Sequence, residues 1–262
     1  MPLMKCARLL ILGLLVFGLL PGLGRAAPKP AKPSPANAAF TQGVTLLQQG
    51  NVTGAIAEFD QAIKLNPGLV EAYINRGMAR MQAGQDQEAL GDFNEALEWE
   101  PESADALYNR AMAHNRLGDA LKALEDYDQA AKYAPQDWQI YYNRGNLYLD
   151  QGKMPETLQK ALQDYNTALN LHPRAAAIWN NRALAHLLSG DPQKALDDAQ
   201  GALQLDPNFA RAYYNQAQAL EAMGRTAEAR AAYRQFLERG RPDADKELME
   251  KALAHIQRLG KN

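Results

Sequence analysis

Residues 104–135, ADALYNRAMAHNRLGDALKALEDYDQAAKYAP, decide how the chain is read. In the first half, Leu107 and Ala111 stand four apart; in the second, Ala123, Tyr127 and Ala130 follow at four and three. These spacings put large and small side chains on one helical face, where two helices can approach closely. Gly118 stands between the two patterns and Pro135 closes the second. Glycine suits a left-handed helix C-terminus and proline cannot continue a helix. The stretch therefore reads as helix, turn, helix, stop.

The same reading extends in both directions. Pro67, Pro101, Pro135, Pro173 and Pro207 recur at intervals of 34, 34, 38 and 34, and such self-similarity signals a repeat architecture. Five residues before each proline stands Ala62, Ala96, Ala130, Ala168 or Ala202, and three before those Phe59, Phe93, Tyr127, Tyr165 or Ala199. Ala55, Ala89, Ala123, Ala161 and Ala195 precede these by four. Tyr73, Leu107, Tyr141, Trp179 and Tyr213 open the first helix of each unit, with Gly77, Ala111, Gly145, Ala183 and Ala217 four later. A glycine ends that helix in all six units, from Gly50 to Gly224. Asp191-Pro192 reads as an N-cap followed by proline at the first helical position.

This pattern resembles the tetratricopeptide repeat (TPR), a helix–turn–helix unit. The resemblance covers residues 36–242 in six units beginning near Ala36, Val70, Ala104, Trp138, Ala176 and Ala210. It implies an all-α fold, a right-handed α-solenoid. Unit 1 has Ala39 where the others open on a large side chain, and unit 6 has Phe236 where the others have alanine. Unit 4 carries four extra residues between Gly152 and Ala161, about one helical turn, so its second helix is expected to start early, at Pro155. Residues 243–262 place Leu248, Ala252, Ile256 and Leu259 at helical spacing and read as the capping helix that covers a solenoid's last apolar face.

Before the repeats, residues 1–26 read as a signal peptide. Lys5 and Arg8 precede a run without polar side chains from Leu9 to Leu20, then Pro21-Gly22, with Gly24 and Ala26 suited to a cleavage site. The run is short for a spanning helix, which needs roughly 20 apolar residues, so cleavage is favoured over an uncleaved membrane anchor. Residues 27–35, APKPAKPSP, form a Pro-rich linker expected to be extended. The expected location is a periplasm or an equivalent extracytoplasmic lumen, with membrane attachment as the alternative.

The 262 residues are 47% hydrophobic and 22% charged, which excludes a wholly disordered chain, and the formal charge is −2. With no cluster of Lys and Arg in the repeats, a nucleic-acid partner is not expected. Cleavage would remove Lys5, Arg8, Arg25 and the only cysteine, Cys6, leaving −5. Disulfide frameworks and Cys-rich zinc sites are excluded. No Gly-rich phosphate loop, H-E-x-x-H or C-x-x-C stands in the repeats. His114 and His186 occupy one column with Tyr148 and read as packing residues. No catalytic residue, metal or cofactor is assigned.

Two polar columns remain. Arg76, Arg110, Arg144 and Arg182 track with Asp92, Asp126, Asp164 and Asp198, and unit 6 loses both, with Gln216 and Ala232. These read as structural pairs; whether each Arg reaches its own unit or the preceding one is open. Asn75, Asn109, Asn143, Asn181 and Asn215 stand in register, although asparagine is a mediocre helix former. The arrangement resembles the asparagine ladder of O-GlcNAc transferase, where such residues hold peptide main chain; the alternative is an amide bonded to its own helix or to a neighbouring unit. By the resemblance, Tyr108, Tyr142 and Tyr214, together with Ile74 and Asn180, flank the ladder on the concave face; the alternative is that the tyrosines only pack between helices. Met78, Met112, Asn146, Leu184 and Gln218 flank it from the other side.

The carboxylate clamp of some TPR co-chaperones does not fit, because its lysine position reads Glu71, Asp105, Gln139, Ala177 and Arg211. Only Arg211 could attract a carboxylate there. The expected function is a non-enzymatic scaffold that holds a peptide segment or helix of a partner protein, with the regulatory subunit of a partner enzyme as a rival.

Overall fold

The computed structural model describes residues 34–152 and 154–260. The signal segment, Cys6 and the linker up to Pro33 lie outside the described residues. Those described form thirteen α-helices and no strand. They divide into two compact bodies, residues 34–133 and residues 134–260.

The N-terminal body holds three helix pairs: α1 (Pro35–Gln48) with α2 (Val52–Leu65), α3 (Val70–Gln82) with α4 (Asp86–Trp99), and α5 (Ala104–Arg116) with α6 (Ala120–Tyr133). Each helix packs on the next, and first helices also meet one another, α1 with α3 and α3 with α5. The C-terminal body repeats this with α7 (Trp138–Asp150) and α8 (Pro155–Leu171), α9 (Ala176–Leu188) and α10 (Pro192–Leu205), and α11 (Ala210–Ala222) and α12 (Thr226–Arg239). There α7 meets α9 and α9 meets α11, and α13 (Pro242–Leu259) packs on α12. The fold is a TPR-like solenoid of helix pairs.

Local chemistry places the ends. The glycine after each first helix, from Gly50 to Gly224, has φ between 74° and 119°, the left-handed region that a Cβ disfavours. Asp191 caps α10 by accepting from the Lys194 N–H, with Pro192 in the first turn. Ser34 caps α1 in the same way, so Pro35 already belongs to the helix. The insertion in unit 4 starts α8 at Pro155, giving 17 residues where the second helices of the other repeats have 14.

Packing follows the small–aromatic pattern. Ala55, Ala89, Ala123, Ala161, Ala195 and Ala229 are fully buried, as are Phe59, Phe93 and Tyr165. A Cβ at Gly43 would stand 2.6 Å from the Phe59 ring, and one at Gly77 2.6 Å from Phe93. The ring of the second helix thus rests on bare backbone of the first. In repeat 5, where Ala199 replaces the ring, Trp179 closes instead over Gly201, where a Cβ would meet it at 2.9 Å.

The Arg column settles the open pairing: each guanidinium has one edge on its own repeat, and Arg76, Arg110 and Arg182 also reach back. Arg110 donates through Nε and Nη2 to Asp126 (2.8 and 2.7 Å) and through Nη1 to Asn94 on α4 (2.8 Å). Arg76 likewise joins Asp92 to Asp60 on α2, and Arg182 joins Asp198 to Asn166 on α8. Arg144 makes the same paired contact with Asp164 across 20 residues instead of 16, so the insertion leaves the register intact. The guanidinium groups of Arg76, Arg144 and Arg182 also lie over the opening rings of Tyr73, Tyr141 and Trp179, at 5.6, 5.5 and 4.9 Å. Burial pushes the Asp92 carboxyl up, while Arg76 and Arg80 pull it back.

Burial also holds the His114 and His186 rings below the ordinary value of 6.5, against the pull of Asp126 and Asp198 respectively. As the pH falls through 6.5, the unfolded chain takes up protons that the folded one refuses, so stability drops; above it, both states are neutral and nothing is lost. The melting temperature is expected to fall between about pH 7.5 and about pH 5.5. In His114→Gln/His186→Gln the fall should be smaller, and equal slopes in thermal melts of the two proteins would count against this account.

Candidate functional site

The ladder column lies on the first helices, and the structure gives its members different surroundings. In the N-terminal body Asn75 Nδ2 donates to the Glu71 carbonyl and Asn109 Nδ2 to the Asp105 carbonyl, both at 2.8 Å and both one turn back. Each residue is 0% exposed, and each Oδ1 is buried without a hydrogen-bond partner. Neither presents a free amide to a ligand. The expectation that these two line an open groove is corrected: they bond their own helix.

In the C-terminal body the column joins a network. Asn143 is half-buried and donates to the Gln139 carbonyl at 3.0 Å. Asn181 Nδ2 donates to Asn146 Oδ1 (2.8 Å) and to the Tyr142 hydroxyl (3.2 Å). The Tyr165 hydroxyl donates to the same Asn146 oxygen at 2.9 Å. Asn180 Nδ2 donates to Asn181 Oδ1 at 3.1 Å, and Asn215 Nδ2 to the Asn180 side-chain and main-chain oxygens at 2.9 and 3.1 Å. Amides of α7, α9 and α11 are thus chained together, with Asn146 and Asn181 still half-exposed.

One upstream residue accounts for the difference. Asn215 finds Asn180, 35 residues earlier on the preceding first helix, and Asn181 finds Tyr142 at the corresponding place, 39 earlier because of the insertion. The residues 35 before Asn75 and Asn109 are Phe40 and Ile74, whose side chains carry no polar atom.

The flanking tyrosines are core residues. Tyr108 is fully buried against Tyr127, Tyr142 packs on Tyr165 and Trp138, and Tyr214 meets Tyr233 and Phe236. Their expected role as groove contacts is corrected accordingly, except that the Tyr142 hydroxyl accepts from Asn181. Arg211 is not free either: its Nε donates to Asp245 on α13 at 2.8 Å. Glu221, at the other end of α11, takes Tyr233 (3.0 Å), His255 (2.8 Å) and Arg258. The pairs Arg211–Asp245 and Glu221–His255 both span 34 residues, one repeat, so α13 stands as the first helix of a seventh unit.

The Asn146–Asn180–Tyr165 connection was not evident as a network in the sequence. Its signal is there in pieces: Asn146 stands in a column with Met78, Met112, Leu184 and Gln218, Asn180 in one with Ile74, Tyr108, Tyr142 and Tyr214, and Tyr165 carries a hydroxyl where Phe59 and Phe93 have none. A separate open cavity of about 480 Å³ lies beside Trp179, lined by Asn166, Arg182, His186, Lys194, Asp197 and Asp198. Its charges are already engaged, Arg182 with Asp198 and Lys194 with Asp191. Among the described residues no group of three His, Cys, Asp or Glu could hold a metal, and no helix is long and apolar enough to cross a membrane.

Family models of the tetratricopeptide repeat match residues 24–70, 40–106, 74–131, 108–160 and 156–210, and a second such model matches 199–231. Among solved structures, a thermophilic TPR protein of Thermus thermophilus is 26% identical, with a TM-score of 0.55 over 72% of this chain and 99% of that one. PilF of Pseudomonas aeruginosa is 16% identical, with a TM-score of 0.70 over 86% and 96%. YrrB, described as a TPR protein with an unusual peptide-binding site, is 21% identical, with a TM-score of 0.55 over 68% and 89%. The last two likenesses show the fold alone. No curated protein matches the chain at a significant level.

The two kinds of asparagine should respond oppositely to substitution. Asn181→Ala breaks the network and strands the buried Asn180 Nδ2, which loses its acceptor, an expected loss of about 1–3 kcal/mol. Asn109→Leu removes an unsatisfied buried oxygen and should be neutral or slightly stabilising. Urea denaturation of both variants checks this, and equal losses would count against it.

Proposed function

Because the chain belongs to the tetratricopeptide-repeat family, whose members are protein-interaction scaffolds, we propose that it is a non-enzymatic scaffold. Its working surface is the first-helix face of the C-terminal body, where it takes an extended segment of a partner protein. The observation that carries this is the half-exposed pair Asn146 and Asn181, held in place by Tyr165, Tyr142 and Asn180. Fixed amides carry both donor and acceptor, the requirement for pairing with peptide main chain. Half-exposed Leu184 and Gln218 lie in the same column as Asn146, on α9 and α11, and would meet alternate side chains. The first-helix face of the N-terminal body is a poorer candidate, since Ile74, Asn75, Met78, Tyr108 and Asn109 are buried there.

The magnitudes call for more than the amides. A few hydrogen bonds at a net ~0.5–1.5 kcal/mol each fall short of the ~8 kcal/mol of micromolar binding, so apolar pockets must supply the rest and set specificity. The peptide-binding site described for YrrB supports the use of this fold for such ligands. Selection from a displayed peptide library on the wild-type chain should yield binders, expected to lose at least about tenfold in affinity on Asn146→Ala/Asn181→Ala, or about 1.4 kcal/mol. Binders indifferent to that change would move the site elsewhere.

The proposed setting is outside the cytoplasm, in assembly or recruitment. Its support is the basic start, apolar run and small-residue site of residues 1–26. Mass spectrometry of the protein from its native cells should find Ala27 at the N-terminus; an intact residue 1–26 segment would instead favour a tethered adaptor.

A further inference from the structure

Apart from histidine, α7, α9 and α11 carry five charged side chains, and four of them are taken. Asp164 holds Arg144, Asp198 holds Arg182 and Asp245 holds Arg211, while Glu221 takes His255 and Arg258. The fifth, Asp150, has no counter-charge among the described residues. It closes α7, and an acid in the last turn meets the negative end of the helix, where a cation would stabilise. The corresponding residues Gln82, Arg116, Leu188 and Ala222 are not acids, and Arg116 is paired with Asp86. Stability therefore gives no reason for this carboxylate.

Its position gives one. Asp150 stands one turn beyond Asn146, so Asn143, Asn146 and Asp150 share a stripe of α7. Asn181, Leu184 and Leu188 run in the same way along α9, and Asn215, Gln218 and Ala222 along α11. Because α7 packs on α9 and α9 on α11, the last row across the face reads Asp150, Leu188, Ala222. Asp150 and Ala222 are exposed and Leu188 is half-buried. Burial first, and then Tyr142 and the carboxylates of Asp150 and Asp164, hold the Tyr165 hydroxyl protonated, so the Asp150 charge reaches the residue that fixes Asn146. The surrounding chain also removes enough water to push the Asp150 carboxyl above its ordinary value, and no cation pulls it back.

We propose that Asp150 pairs with a lysine or arginine of the bound partner segment and so fixes that segment's register and direction on the amide network. This rests on the first-helix face of the C-terminal body being the working surface. Packed helices stand roughly 8–10 Å apart and extended chain advances about 3.3 Å per residue, so about three residues lead from one helix to the next. The partner segment then carries a cationic residue with an apolar one about three positions to one side, over Leu188. The row holds its charge at one end only. A segment laid the other way puts its cation over Ala222 and gains nothing, which is how charge placement selects one orientation.

Peptides selected from a random displayed library on the full wild-type chain test this. They are expected to share Lys or Arg at one position, and selection on Asp150→Lys should bring Asp or Glu there instead. Asp150→Asn should weaken a wild-type binder about three- to fivefold at low salt. Exchanging the binder's own cation for glutamine should cost the same on the wild type and nothing further on Asp150→Asn. The melting temperature of Asp150→Asn should stay the same or rise, because the acid opposes its helix end; a fall would make Asp150 structural and count against the proposal. Binders that weaken on Asn146→Ala/Asn181→Ala, yet share no cation or ignore Asp150→Asn, overturn the proposal and leave the working surface standing. Binders indifferent to the amide pair move the surface elsewhere and take this contact with it, as does a selection without binders.

Discussion

Two helices in each repeat touch at backbone distance, and the rest of the molecule is arranged around that contact. At Gly43 and Gly77 the ring of Phe59 or Phe93 occupies the space a Cβ would need. The alanine columns on the second helices are fully buried for the same reason. Such packing is intolerant of added volume, because interiors are already at crystal-like density. It also explains the rigid period: each repeat must offer the same small–large sequence to its own partner helix and to the next.

Close apolar contact does not by itself fix how one helix slides on another, and the Arg column supplies that constraint. A planar guanidinium has donors on two edges, so one side chain can bond a carboxylate on its own second helix and a second acceptor on the preceding one. Lysine, with a single ammonium, could not hold the bidentate geometry. The four-residue insertion in unit 4 shows what is preserved: α8 gains most of a turn at its start, yet Arg144 still meets Asp164 edge-on. Where Gln216 and Ala232 abandon the pair, Arg239 lies over Tyr213 instead, and α13 ties both ends of α11 through Asp245, His255 and Arg258.

Much of this was legible in the residues. The six turn glycines, the early start at Pro155 and the terminal helix follow from patterns shorter than one repeat, and the period follows from their recurrence. The candidate site was legible only as a column. Five asparagines in register suggested a uniform ladder, but two are sealed with an oxygen unsatisfied, one is half-buried on its own helix, and two belong to a cross-helix network. The tyrosines beside them were equally ambiguous, since a ring at helical spacing suits a groove as well as a core.

The sequence by itself determined the helix–turn–helix period and its boundaries, because turn chemistry and face patterning act over a few neighbouring residues. Only the tertiary structure decided what each polar side chain does. A hydrogen bond belongs to a pair, and the partner here stands a full repeat away: the side chains of Phe40 and Ile74 offer Asn75 and Asn109 nothing, whereas Tyr142 and Asn180 complete Asn181 and Asn215. Arg211 reads as a free cation until the fold brings Asp245 to it from 34 residues on. Identical letters in one column acquire different chemistry because the neighbouring helix, not the column, sets whether a buried donor or acceptor is satisfied.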